Sequence, residues 1–295
     1  MVLTLGETIP AGPAQIKIAY SAPLADKLVG LYRVQEDGLW YVFSQLEATD
    51  ARRMMPCFDE PGWKTPLTLK VTVPKGNLVV ANAEEASRAE VDDGKSTRFT
   101  FAPTLPLPTY LMALAVGPFD VREGPAEPVK IRVITTRGRA GLGTAALEAA
   151  QVSVRALGSY FDRPYPYSKL DLLAVPDFGY GAMENAGLIT FRDDILLLDD
   201  NASKGAWRNM AETVAHETAH HWFGDLVTMA WWNDVWLNEG FATWMETKVV
   251  DQWRPETEAR LDALAARGSV MQRDALGSSR RSEERRVGKE CRLTC

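Results

Sequence analysis

All three histidines of this 295-residue chain fall in one run, Val214-Ala-His-Glu-Thr-Ala-His-His-Trp222. Imidazole is the commonest side-chain metal ligand and titrates near neutrality, so gathering so scarce a residue in one place marks where chemistry is done. His216 and His220 are four apart. On a helix that spacing sets both rings on one face, able to converge on a single ion. Glu217 lies about a quarter-turn round from the first of them, within reach of a water held by that ion. A catalytic zinc site takes three protein ligands and leaves a further position for water. A third histidine shortly after the second is absent, position 226 being leucine. Glu239, 18 intervening residues beyond His220, is the carboxylate that a returning second helix would bring alongside. The set read from these residues is His216, His220 and Glu239 around one zinc ion, with Glu217 as the general base that takes a proton from the attacking water. His221 lies on a different face and is read as a packing or surface histidine.

Such a site needs a helix, a loop and a second helix. Ser203 is a candidate N-cap for a helix over 206–223 that carries the histidines. The next helix is expected over 237–253, with Glu239 near its start. A third is expected after Pro255, with Leu261, Leu264 and Ala265 on its inner face. Upstream, residues 144–161 place Leu147, Val154 and Leu157 at helical spacing, between strands expected at 129–135 and 170–175. The first part of the chain reads as β. Leu67, Leu69, Val71 and Val73 alternate with polar residues, Asp92-Asp93-Gly94-Lys95 is a turn, Thr97 to Phe101 resumes a strand, and Tyr110 to Val116 reads as a buried strand. Gly124-Pro125 and Pro128 suggest a domain junction.

Composition narrows the field. Hydrophobic residues at 46% and charged residues at 24% give a chain able to bury a core. A net charge of −6 and a pI near 5.3 argue against nucleic acid as a partner, which calls for a basic surface. No stretch approaches the roughly 18–20 apolar residues of a membrane helix. Met1 to Glu7 carry no basic segment followed by an apolar one, so no signal peptide is visible. Cys57 stands alone outside the C-terminal run, which excludes a disulfide framework and a thiolate zinc site; it is compatible with a reducing cytoplasm, the favoured location.

Gly181-Ala-Met-Glu-Asn185 precedes the histidine run. Together the two segments resemble the M1 family of zinc aminopeptidases, which carries a G-x-M-E-N motif and H-E-x-x-H-x18-E. Gln45-Leu-Glu-Ala-Thr-Asp-Ala-Arg52, Pro56-Cys-Phe-Asp-Glu-Pro61, Tyr165-Pro-Tyr-Ser-Lys-Leu-Asp-Leu172 and Trp231-Trp-Asn-Asp234 extend the likeness. The resemblance implies an α+β fold: an incomplete antiparallel β domain over residues 1–124, then a thermolysin-like zinc peptidase domain over 125–280. It implies a peptide substrate with a free N-terminus. Glu184 is then the main anchor for the substrate amine and Glu47 the second. Gln45 lines the first side-chain pocket, Gly181 and Ala182 align the substrate backbone, and Tyr180 borders the pocket. Against an epoxide hydrolase of the kind one branch of the family shows, the Gly-Ala-Met-Glu-Asn run and Glu47 favour a peptidase; an endopeptidase would use the same zinc set and would be told apart by cleavage of N-acetylated peptides.

Two departures from the family pattern stand out. Family members stabilise the oxyanion with a tyrosine far downstream of the third zinc ligand, a donor worth on the order of 3 kcal/mol in comparable sites. No tyrosine follows Tyr180 here. The resemblance therefore implies a chain truncated at both ends, and leaves as an alternative a zinc-binding fragment without turnover. Residues 281–295, beginning Arg281-Ser-Glu-Glu-Arg-Arg-Val-Gly-Lys-Glu-Cys291, have no apolar periodicity and look like a translated DNA-sequencing adapter, so a non-native tail is expected there.

Overall fold

A computed structural model of the chain describes Gly6 and residues 11–276. The tail expected at 281–295 lies outside the described residues. Strands β1 (Gly30–Glu36) and β2 (Leu39–Gln45) form a hairpin across Asp37-Gly38. Both turn residues have positive φ, 48° and 76°, the backbone twist that a two-residue hairpin turn needs and that Asp-Gly supplies at little cost. A helical turn, α1 (Ala51–Met54), follows. Then come β3 (Lys70–Pro74), β4 (Leu78–Ala81), β5 (Glu85–Val91), β6 (Ser96–Phe101) and β7 (Leu114–Gly117). They make two antiparallel sheets, ordered β1-β2-β7-β4 and β3-β6-β5.

The second half is built on a five-stranded sheet. Its strands are β8 (Asp120–Glu123), β9 (Lys130–Thr135), β10 (Lys169–Val175), β11 (Ala182–Met183) and β12 (Leu188–Arg192), ordered β11-β12-β10-β9-β8. The three inner strands are parallel and the two edge strands antiparallel. Helix α2 (Thr144–Phe161) makes the crossover from β9 to β10, as a parallel pair requires. A short α3 (Asp193–Leu196) precedes α4 (Lys204–His220), α5 (Val235–Trp253) and α6 (Ala259–Asp274). No helix among the described residues is long and apolar enough to cross a membrane.

Period-two alternation divides this sheet between two cores. Ile134, Leu173, Val175 and Leu188 face the N-terminal sheet and pack with Tyr32, Tyr41 and Phe43. Ile131, Val133, Leu170, Leu172, Ile189 and Phe191 face the other way, onto Leu147 and Val154 of α2 and Met210 and Val214 of α4. The sheet is thus a middle layer, and β10 is buried along its whole length. That burial encloses charge. Asp171 is held by Arg132 through two 2.7 Å bonds and by Lys169 at 2.8 Å, and Lys169 also donates to the Gly187 carbonyl at 2.7 Å.

The helix at 144–161 and the strand at 97–101 form as expected. Other expectations change. Tyr110 to Val116 is not one strand: Thr109–Leu111 is a single 3₁₀ turn after Pro108, and pairing starts only at Leu114. The Gly124–Pro128 stretch forms the loop of the β8–β9 hairpin, so β8 joins the sheet that follows it. In α6, Leu261 and Leu264 are 62% and 55% exposed and only Ala259 is buried, because among the described residues nothing covers that helix beyond its first turn.

Asp171 supplies a prediction. Burial alone would raise its pKa, but Lys169 and Arg132 outweigh burial and hold it below the ordinary value. The stabilisation it contributes is therefore complete above its unfolded pKa of about 3.9 and is lost as pH falls through the depressed folded value. Asp171→Asn leaves Lys169 buried without its counter-charge and is expected to cost about 3–5 kcal/mol. Urea denaturation at pH 7 and pH 3 checks both statements; the gap between the two proteins should narrow at the lower pH.

Candidate metal centre

Helix α4 starts where Ser203 accepts a hydrogen bond from the Ala206 amide at 3.1 Å. Its inner face is lined with alanine. Ala211, Ala215 and Ala219 pack with Ala242, Met245 and Val249 of α5, and small side chains let the two axes approach closely. That approach carries α5 past the histidines. Glu239 Oε2 lies 3.4 Å from His216 Nε2 and 3.8 Å from His220 Nε2, and one ligand atom from each residue falls within 4.8 Å of the others. The two rings stand 4.8 Å apart.

The outer nitrogens of both rings are engaged. His216 Nδ1–H donates to Glu246 Oε2 at 2.6 Å, and His220 Nδ1–H donates to the Phe223 carbonyl at 3.3 Å. Each bond engages Nδ1 and leaves Nε2 turned toward Glu239, the nitrogen that a metal ion would take in place of any proton there, the usual arrangement behind metal-binding imidazoles. His220 Nε2 is buried and has no hydrogen-bond partner among the described residues. An orphaned nitrogen in such a place is costly. Two imidazole nitrogens and one carboxylate oxygen suit a transition metal of intermediate softness, so the residues present fit such an ion.

A wall of carboxylates adjoins this set. Glu184 and Glu217 are buried and place an oxygen within 4.8 Å of each other and of a nitrogen of His220. Glu217 Oε2 has no partner among the described residues. Burial, then Glu184 and Glu239, push the Glu47 pKa up to about 8. Burial also lifts Glu184 to about 7, with Glu239 adding to it against the opposing pull of its own main chain and of His216. Glu217 is raised well above the carboxylate range by burial, and by Glu184, Glu239 and Glu47 against the pull of His216. His216 moves the other way: against burial, Glu239 and Glu246 raise it to about 11. Burial and the neighbouring His216 lower His220 to about 4. The pocket holds more negative charge than it can solvate, and a cation placed in it would be stabilised.

The remaining residues read from the sequence divide. Gln45, at the end of β2, is buried with both amide atoms unpartnered among the described residues. Gly181 and Ala182 lead into the edge strand β11. A methyl group at Gly181 would meet only Ile195, at 3.6 Å, so that side is open. Tyr180 is 47% exposed and touches Phe178 edge-on; it is not a core residue. His221 proves to be the packing histidine, fully buried.

Sequence reading missed Glu246. Its signal was present: it lies two helical turns after Glu239, on the same face of α5. It also missed Asn82, whose Nδ2 donates to the Leu111 and Ala186 carbonyls at 2.8 and 2.9 Å and whose Oδ1 accepts from the Ala113 amide at 2.8 Å. No local pattern announces a side chain whose partners come from two distant segments.

A model described as the peptidase family M1 domain matches residues 145–292, and one described as the peptidase M1 N-terminal domain matches residues 1–111. Aminopeptidase M1-D of Oryza sativa subsp. japonica is 38% identical over 285 residues, 95% of this chain and 32% of that protein. Leucyl aminopeptidase of Saccharolobus solfataricus is 41% identical over 229 residues, covering 78% and 29% of the two chains. Aminopeptidase 2 of Candida albicans is 40% identical over 248 residues, covering 82% and 27%. The chain thus spans about a third of the length of these relatives.

The Glu246–His216 bond can be tested on the chain itself. Zn2+ titrated against a chromophoric chelator should bind at one equivalent. Glu246→Gln should weaken that binding about 10- to 100-fold, the usual cost of losing the residue that orients a metal-binding imidazole. Equal affinity in the two proteins would show that Glu246 does not orient His216.

Proposed function

The chain belongs to peptidase family M1, and from that premise we propose that it forms the zinc centre and the amine-recognition wall of a metallo-aminopeptidase that removes N-terminal residues from peptides. The observation that supports this reading is the meeting of His216, His220 and Glu239 beside the buried carboxylates Glu217 and Glu184. A plain hydrolytic zinc site needs the first four. Glu184 and the neighbouring Glu47 add acid that catalysis at the carbonyl does not call for, and an α-ammonium group does.

Zinc bound by His216, His220 and Glu239 would supply Lewis acidity to a water molecule and to the peptide carbonyl. Glu217, raised in pKa by burial, takes a proton from the attacking water and returns it to the departing amine. Glu184 and Glu47 receive the substrate's ammonium group. Each is held above the ordinary carboxylate range, chiefly by burial, and an arriving cation favours its ionised form. Gly181 and Ala182 precede and begin an edge strand, where an extended peptide can add alongside β11. Gln45 lines the pocket for the first side chain, and Tyr180 borders it.

A second reading is that the chain by itself binds zinc through His216, His220 and Glu239 without turning over.

Hydrolysis of an aminoacyl anilide, with and without chelator, separates the two. Where hydrolysis is found, Glu217→Gln should lower kcat by about 10²- to 10⁴-fold with zinc content unchanged, as expected for loss of a general base. Glu184→Gln should act mainly through KM, and N-acetylated peptides should resist cleavage. Cleavage of acetylated and free peptides at equal rates would sink the aminopeptidase reading in favour of an endopeptidase.

A further inference from the structure

We propose that the protein carries a seat for a second divalent cation beside the zinc set: the buried carboxylates of Glu184 and Glu217 hold it, and a hard divalent ion there displaces the substrate's ammonium group. The seat itself stands on geometry. Its competition with substrate rests on the reading of Glu184 as the amine anchor.

Glu184, Glu217 and His220 each offer one ligand atom, and these three atoms lie within 4.8 Å of one another. Oxygen ligands stand about 2.3–2.6 Å from an ion of calcium's size, so two ligands of one such ion lie up to about 5 Å apart. The three atoms therefore fit round one ion. This set shares only His220 with the set of His216, His220 and Glu239. All of it is buried, Glu184 at 5% exposure, Glu217 at 7% and His220 at 1%. Glu217 Oε2 and His220 Nε2 have no hydrogen-bond partner among the described residues. A carboxylate oxygen removed from water and left unpartnered calls for a cation. Anchoring an amine would need Glu184 alone. Drawing Glu217 so near sets two negative charges side by side, a repulsion that a divalent ion cancels and a single ammonium charge only halves.

His220 links the two sets. Its Nδ1 is turned to the Phe223 carbonyl at 3.3 Å, which leaves Nε2 for a metal, and one nitrogen serves one ion. Imidazole suits zinc, so zinc in the histidine set takes that nitrogen. The second seat then keeps its two carboxylates, an oxygen-only site that suits Mn2+, Mg2+ or Ca2+. Such ions bind more weakly than zinc does to a set containing imidazole, so the second seat fills only after the first and at higher concentration. An ion there occupies the oxygens of Glu217 that would accept a proton and the place the ammonium group needs. It acts as a brake on the site and not as a cofactor.

Mn2+ is the probe, since electron paramagnetic resonance counts it when free. The chain is first loaded with one equivalent of Zn2+, and a chromophoric chelator reports any zinc released. Mn2+ should bind at one further equivalent with the zinc retained. Glu184→Gln and Glu217→Gln should each keep the zinc and weaken Mn2+ binding by about tenfold or more, as expected when a site loses one of two charged ligands. Circular dichroism checks that both variants fold; either decides if the other does not, and the ligand arm needs no substitution. In that arm, saturating leucinamide should weaken Mn2+ binding, while N-acetyl-leucinamide, which has no ammonium group, should leave it unchanged. Three outcomes overturn the proposal: no further equivalent of Mn2+, zinc released in step with Mn2+ uptake, or a second equivalent that neither substitution weakens. Mn2+ binding that needs both glutamates but ignores leucinamide keeps the seat and removes both the competition and the reading of Glu184 as the amine anchor. Preference for leucinamide over its acetylated form, with no second equivalent, keeps that reading and overturns the seat.

Discussion

The close approach of α4 and α5 is the constraint on which the rest of the site depends. Ala211, Ala215 and Ala219 leave no bulk between the helices, and Ala242 and Met245 fill what remains. One consequence is the 3.4 Å contact of Glu239 with His216; another is the 2.6 Å bond from His216 to Glu246. A larger residue at any of these alanines would push the axes apart and move both carboxylates together, because a helix shifts as a rigid body. The alanines offer no ligand atom to the site, yet their size sets its dimensions.

Charge is the second determinant, and it acts against folding. Glu184 and Glu47 both raise the pKa of Glu217, and Glu184 raises that of Glu47, on top of what burial does. Such a cluster is tolerated only where surrounding structure over-determines it. The middle sheet provides that support, with residues packed on both faces and with the Lys169–Asp171–Arg132 group locking its buried strand. The same repulsion that destabilises the bare pocket makes it receptive to cations. Site and scaffold are therefore not independent features of the fold.

The sequence disclosed the elements better than their surroundings. Residues 144–161 gave a helix with the expected bounds, and Ser203 caps the helix it was expected to cap, because these signals are local. His216, His220 and Glu239 were legible for a related reason: two share a helix face and the third follows at a fixed separation. Burial was not legible in the same way. Leu261 and Leu264 keep helical spacing but face solvent, since spacing defines a face and not what lies against it. Tyr110 sits in an apolar run that looks like strand, but Pro108 directs the chain into a turn first. His221 was readable as a residue off the ligand face; its bond to Tyr165, 56 positions away, was not.

The two candidate amine carboxylates come from different layers, which raises the question of what fixes their separation. Glu47 follows β2 of the N-terminal sheet, and Glu184 follows β11 of the middle sheet. Asn82 bridges those layers, bonding Leu111 and Ala113 on one side and Ala186 on the other. Immediately beyond, Gly187 has φ +70° and its α-carbon comes so near the Asn82 carbonyl that a β-carbon would lie 2.6 Å from that oxygen. Only glycine permits both the conformation and the approach. Lys169 then takes the Gly187 carbonyl, tying the same loop to the buried charge group of β10. The loop after Glu184 is thus held from the N-terminal sheet and from the middle strand. A carboxylate held from two directions keeps its place when a neighbouring like charge pushes on it, and only such a carboxylate can measure a fixed distance to a metal.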